Sequence, residues 1–211
     1  MIISHKYKFI YFACGKTGTH SVEASLRKYH DGGRILQVID AEQQILRARY
    51  SLPFNLRHAR PEFVRELIDP EIWNNYFKFV FVRNPWDWVL SNYCFNHRNL
   101  VQYLFTFDPI HVNLVWHLMK VHNQTPYAES YFQHTFVVDQ QDNPLMDFVG
   151  KMEDFQKDYN NICSVIGIKP GKLKRKNRTE HPRYQELYSE EAKKLVAELY
   201  KKDIEILGYE F

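Results

Sequence analysis

Residues 8–26 read KFIYFACGKTGTHSVEASL, and the fold follows from how this stretch is parsed. Phe9, Ile10, Tyr11, Phe12 and Ala13 form an unbroken apolar run, as expected of a parallel strand buried on both faces. Gly15 and Gly18 then let the backbone turn and approach a ligand closely. Thr19, His20 and Ser21 stand where a helix begins, and Val22, Ala24, Ser25 and Leu26 continue it. Amide N–H groups at a helix start lack intrahelical acceptors and attract anions. Lys16 adds a full positive charge at the same place. Strand, polar loop and helix together predict a cradle for phosphate or sulfate. The plainer alternative is a strand-to-helix turn with a solvated lysine.

The triplet Gly15-Lys16-Thr17 is shared with the nucleotide-binding loop of ATPases and kinases, which also requires a glycine five residues earlier. That position is Ile10, inside the strand, so the loop here is shorter. A second stretch has the same grammar. Residues 77–93 read FKFVFVRNPWDWVLSNY. Phe79 to Val82 is another buried-strand run, Arg83 follows at its carboxyl end, and Pro85 suits the first turn of a helix that carries Ser91. Ligands of open α/β sheets gather outside the carboxyl ends of strands. A lysine and an arginine at two such tips would grip opposite ends of one anionic ligand, although a surface ion pair also accounts for Arg83.

Length and composition narrow the classes. The chain has 211 residues, enough for one substantial domain. With 45% hydrophobic and 16% aromatic residues it can fill a packed core. Its net charge of +3 speaks against a general nucleic-acid coat and for local basic sites. Cys14, Cys94 and Cys163 are too few and too scattered for a disulfide framework or a zinc cluster, which suggests a reducing compartment. No apolar run approaches the roughly 20 residues that span a bilayer. The apolar N-terminus leads straight into the loop, so it reads as structure and not as a signal peptide.

The first helix is expected to run over 19–30, with a second strand over 34–39 and a helix over 41–50. Pro61 and Pro70 begin further helices. Residues 94–130 read as a helical insertion on the acceptor side, with its helix expected over 110–122. Its aromatics Tyr103, Phe105, Phe107 and Trp116 suit a pocket or a core. His111, His117 and His122 there lack metal-helix spacing. Residues 135–138 and 146–150 are strand candidates, and 152–166 an amphipathic helix closed by Gly167. The basic run KPGKLKRKNRTEHPR at 169–183 is a solvated loop or a flap over a polyanion. Ser189 caps a final helix to about Leu207.

These stretches together resemble the sulfotransferases that use 3′-phosphoadenosine-5′-phosphosulfate (PAPS), especially the carbohydrate and bacterial branches. The loop CGKTGTHS is similar to the family's 5′-phosphosulfate loop, usually written PKTGGTS, with Lys16, Thr17, Gly18, Thr19, His20 and Ser21 on its positions. FVFVRNPWDWVLSNY is similar to its 3′-phosphate site, in which an Arg and a Ser eight residues on bind that phosphate, here Arg83 and Ser91. The segments from Met152-Glu153 through KNRTEHPRYQELYS to the carboxyl end resemble the family's closing part, whereas 94–130 is not covered. Three departures stand out. Cys14-Gly15 replaces the usual Pro, His20 replaces a small residue, and Trp88 stands where the carbohydrate branch often has Arg.

The resemblance implies one three-layer α/β/α domain with a mainly parallel sheet, like P-loop NTPases. It implies sulfuryl transfer from PAPS to a hydroxyl or amine of a small-molecule or carbohydrate acceptor, leaving 3′-phosphoadenosine 5′-phosphate (PAP), without a metal. Lys16 would neutralise charge on the leaving phosphate. Lys176, Arg178 and Arg183 would add cofactor contacts. His58, upstream of the second loop, is the candidate base, with His20 its competitor and Glu62 and Glu71 behind. An ATP-dependent small-molecule kinase and a catalytically silent nucleotide-binding module are the alternatives. Without an anchor helix the enzyme is expected in the cytoplasm, with no nucleic-acid partner. The acceptor, the base and the oligomeric state stay open at this point.

Overall fold

The computed structural model describes residues 1–29, 58–96, 132–173 and 183–211. The expected strand at 34–39, the helices at 41–50 and 110–122, residues 97–130 of the expected insertion, and residues 174–182 of the basic run lie outside these.

Two short apolar runs fix the sheet. FIYF and FVFV have no polar face to turn to water, so they sit centrally with cover on both sides. Among the described residues the sheet has β1 (Ile2–Ser4), β2 (Phe9–Phe12), β3 (Phe77–Val82) and β4 (Phe148–Lys151), in that order. β1 runs antiparallel to β2, while β2, β3 and β4 are mutually parallel, with Tyr11 opposite Phe79 and Val80 opposite Val149. The carboxyl ends of three strands therefore lie side by side, about 4.8 Å apart.

Around the sheet stand α1 (Thr19–Leu26), α2 (Pro61–Leu67), α3 (Pro70–Asn75), α4 (Pro85–Asn96), α5 (Phe155–Val165), α6 (Tyr184–Leu187), α7 (Glu190–Leu199) and α8 (Lys201–Leu207). The period of two along each strand decides what meets what. Phe9, Tyr11, Phe79 and Phe81 pack on Val22 and Leu26 of α1 and on Phe155, Tyr159 and Ile162 of α5. Ile10, Phe12, Val80 and Val82 pack on Val64 of α2, Phe136 and Leu207 of α8. A third cluster joins Trp86, Val89, Leu90 and Tyr93 of α4 to Ala192 and Val196 of α7.

Several expectations shift. The strand expected at 135–138 is a 3-10 turn over Gln133–Phe136, and Val138 makes only an isolated bridge to Pro144. The β-prone side chains lose to tertiary bonding, because buried Asp203 accepts the Gln133 and His134 amides and bends the chain there. The final helix is two, α7 and α8, hinged at Tyr200 (φ −106°, ψ 23°), which carries Asp203 to that turn. The first helix closes at Leu26 and continues as a 3-10 turn over Arg27–Tyr29. Residues Met152–Asp154 are likewise a 3-10 turn before α5. The expected strand at 146–150 forms at Phe148–Lys151, and α4 takes in residues 94–96 of the expected insertion.

Two predictions come from this packing. Burial pushes the Cys94 thiol up to about 11 from an ordinary 9.0, and raises Cys14, Tyr159 and Tyr209 as well. Between pH 9 and 11 the unfolded chain loses the Cys94 proton while the folded chain keeps it. Stability therefore falls as pH rises, by at most about 1.4 kcal/mol per pH unit for each such group. The urea midpoint should drop steadily across that window; a flat profile would contradict the burial of these groups. The second concerns Gly18, at φ +71°, where an added Cβ would lie 2.6 Å from the Phe155 ring. Gly18→Ala should cost about 1–3 kcal/mol. Gly15→Ala, with nothing within 4 Å of its Cβ, should melt like the parent.

Candidate active site

The loop between β2 and α1 turns by positive φ at Lys16 (64°) and Gly18 (71°). Gly15 has no such conformation, so the turn expected of it is made by Lys16 instead. Three successive carbonyls of this loop each meet a donor. His58 Nδ1 donates to Ala13 O at 2.6 Å, Thr17 Oγ1 to Cys14 O at 2.8 Å, and Trp88 Nε1 to Gly15 O at 2.8 Å. In a trans peptide the N–H points opposite to the C=O. The amides of Cys14, Gly15 and Lys16 are thereby aimed away from those three donors. Then α1 begins at Gly18 with no side-chain cap and no acidic residue in its first turn. The assembly is a run of amide donors next to a lysine, which suits an anion.

The site residues expected from sequence divide by position. Thr17, Thr19 and Ser21 are buried in the loop and the start of α1, while His20 is exposed beside them. The Thr17 hydroxyl spends its proton on Cys14 O, so its share in anion binding falls to its amide. Ser21 N–H returns to Gly18 O at 2.9 Å. Lys16 Nζ lies 3.9 Å from the centre of the Phe95 ring, a cation–π contact that leans the ammonium over the last turn of α4.

Arg83 follows β3 directly, and its Nε donates to Asp87 Oδ2 at 2.6 Å, one helical turn on. That pair takes one edge of the guanidinium. Ser91, buried, lies two turns along the same helix. Cys94, three residues beyond Ser91, has a thiol that feels both Lys16 and Arg83 as neighbouring positive charges. Thus α4 is the common wall of the site. It bonds the first loop through Trp88, underlies Lys16 with Phe95, and holds Arg83 with Asp87.

His58 is exposed, and its bond to Ala13 fixes the tautomer, since a carbonyl only accepts. Nδ1 carries the hydrogen, so the neutral ring has its lone pair on Nε2. Glu62 and Glu71 open α2 and α3, and among the described residues no bond joins either to the loop. Arg183 precedes α6 and is exposed. Lys176 and Arg178 lie outside the described residues. Among the described residues no three His, Cys, Asp or Glu side chains gather as a metal would require, and no helix is long and apolar enough to cross a membrane.

Sequence reasoning passed over the groups that brace the tips. Trp88 was legible only as a departure, and Asp87 only as an i,i+4 partner of Arg83. Glu153 accepts from Asn84 N–H at 2.8 Å and from the Tyr209 hydroxyl at 3.0 Å, tying β4 and the final residues to the β3 tip. These bonds span 69 and 56 positions, which no local pattern announces.

Comparison with known proteins is consistent with this geometry. Neither a curated protein nor a solved structure matches the chain. The model of the sulfotransferase family (Sulfotransfer_2) matches residues 1–210, nearly the whole sequence. With a match over nearly its whole length, and with Lys16 and Arg83 following two neighbouring parallel strands, the chain belongs to the sulfotransferase family.

Proposed function

We propose that this sulfotransferase draws its sulfuryl group from PAPS and passes it to a hydroxyl or amine of a small-molecule or carbohydrate acceptor. The observation that carries the reading is the parallel pairing of β2 with β3, with α4 contacting both tips. That pairing sets Lys16 and Arg83 on one edge of the sheet. The amides of Cys14, Gly15 and Lys16 and the start of α1, which has no side-chain cap, fit the 5′ end of the nucleotide. Arg83 and Ser91 fit its 3′-phosphate, each charged hydrogen bond being worth roughly 1.5–3 kcal/mol. Arg183, with Lys176 and Arg178, would complete the cationic surround.

Bound PAPS would supply an activated sulfuryl group at the loop. The chain's own part is electrostatic and positional. Lys16 offers a positive charge where negative charge develops on the leaving side. His58, with its proton fixed on Nδ1, presents Nε2 to take the acceptor's proton. The kinase reading asks for a Thr hydroxyl on magnesium, and the Thr17 side chain is fully buried, with its hydroxyl turned to Cys14 O. A single domain with helices on both sheet faces, in the manner of P-loop proteins, fits the same reading, as does a cytoplasmic location.

Calorimetry with PAP and AMP tests the donor. PAP should bind at least about tenfold more tightly, the equivalent of one charged hydrogen bond; equal affinities would sink the reading. Lys16→Ala should lower turnover by about 10²–10³ in a PAPS-dependent acceptor screen read by mass. His58→Asn keeps a donor for Ala13 O but lacks Nε2. It should retain PAP affinity while losing about 10²–10⁴ in kcat; retained turnover would move the base elsewhere.

A further inference from the structure

The tip of β3 is held by a side chain far from it in sequence. Gln133 is fully buried, and its amide makes a two-way clamp on the Arg83 peptide. Arg83 N–H donates to Gln133 Oε1 at 2.8 Å, and Gln133 Nε2 donates to Arg83 O at 2.8 Å. Gln133 is itself fixed by Asp203, also fully buried, whose Oδ2 accepts the Gln133 amide at 2.9 Å. The other oxygen of Asp203 accepts from the His134 amide at 2.8 Å and from His134 Nδ1 at 2.5 Å. Three N–H donors thus converge on one buried carboxylate.

This arrangement exceeds what the fold needs. β3 already has both strand neighbours, and its ladder ends at Val82. Arg83 is the first residue beyond the ladder, where backbone freedom would return. The clamp removes it at the residue that follows the carboxyl end of β3. A buried amide can bond both the N–H and the C=O of one peptide-flanking residue only if that residue holds a single φ/ψ setting. The direction of the Arg83 Cα–Cβ bond is then set, and Asp87 fixes the far end of the side chain.

We infer that Gln133 and Asp203 are positioning residues for Arg83, fixing the backbone from which it reads the 3′-phosphate of the nucleotide. The inference rests on the PAPS reading above. It assigns selectivity for the 3′-phosphate to a buried network that does not touch the ligand.

The test is the ratio of AMP to PAP dissociation constants, measured by calorimetry on the full chain, with the KM for PAPS alongside kcat. Gln133→Met keeps the side-chain length and removes both bonds. Its ratio should fall about tenfold or more, toward that of Arg83→Ala, while AMP affinity holds. KM for PAPS should rise more than kcat falls. Adding Gln133→Met to Arg83→Ala should leave the ratio where Arg83→Ala put it. Ile166→Ala, at the end of α5 opposite Phe155, should lower the melting temperature and leave the ratio intact. Should Gln133→Met not fold, Asp203→Asn, which keeps the shape and replaces one acceptor by a donor, should lower the ratio in the same direction. A parent ratio well above one that persists in these variants would overturn this inference alone. A parent ratio near one would overturn the PAPS reading, and the inference with it.

Discussion

An anion site built from a peptide loop must first dispose of its carbonyls. Each peptide carries a negative oxygen as well as a positive N–H, and a loop left to itself presents both. Here Ala13, Cys14 and Gly15 each have the oxygen drawn to a donor, from His58, Thr17 and Trp88 respectively. Planarity does the rest, since the amide of each following residue must face the other way. Positive φ at Lys16 and Gly18 continues the turn into an uncapped helix. Three hydrogen bonds thus engage successive carbonyls of the loop, and Lys16 adds its charge beside the amides that follow them.

Those bonds require partners brought from elsewhere, which is the work of α4. Its start is pinned by Asn84, whose side chain donates to Glu210 O at 2.7 Å and accepts from Trp86 N–H at 3.1 Å. Glu153 accepts the Asn84 amide. Trp86 then packs edge-on against Phe211, and its Nε1 donates to Lys193 O at 3.0 Å. The carboxyl-terminal residues therefore act on the site through α4. A disturbance there moves Trp88 and Asp87 together, and so reaches both the first loop and Arg83.

Much of the frame was legible because it is local. FIYF and FVFV announce buried parallel strands by composition alone, and Pro61, Pro70, Pro85 and Ser189 mark helix starts where helices begin. Order of elements along the chain already placed Lys16 and Arg83 after strands; that the two strands are neighbours came from the structure. What the sequence hid is whatever depends on distant pairing. Residues 135–138 have strand-like side chains, yet Asp203, about seventy positions away, imposes a turn. Gly15 looked like the flexible residue of the loop, and the strained angle sits on Lys16. Gln133 carries no local signal, since its partner is the backbone of Arg83.

The charges around the site are balanced rather than piled up. Arg83 has Asp87 on its Nε edge, Glu153 braces the neighbouring peptide, and Lys16 lies over the Phe95 ring. A cleft lined by one sign of charge would draw any polyanion and hold it tightly. Among the described residues, Lys16 and Arg83 have their directions set by Phe95, Asp87 and the clamp of Gln133 on the Arg83 backbone. On the proposed PAPS reading, discrimination would come from where these donors point, which a nucleotide with a phosphate in the wrong place would not satisfy. A chain with a net charge of only +3 fits such an arrangement, in which placement rather than bulk charge would select the ligand.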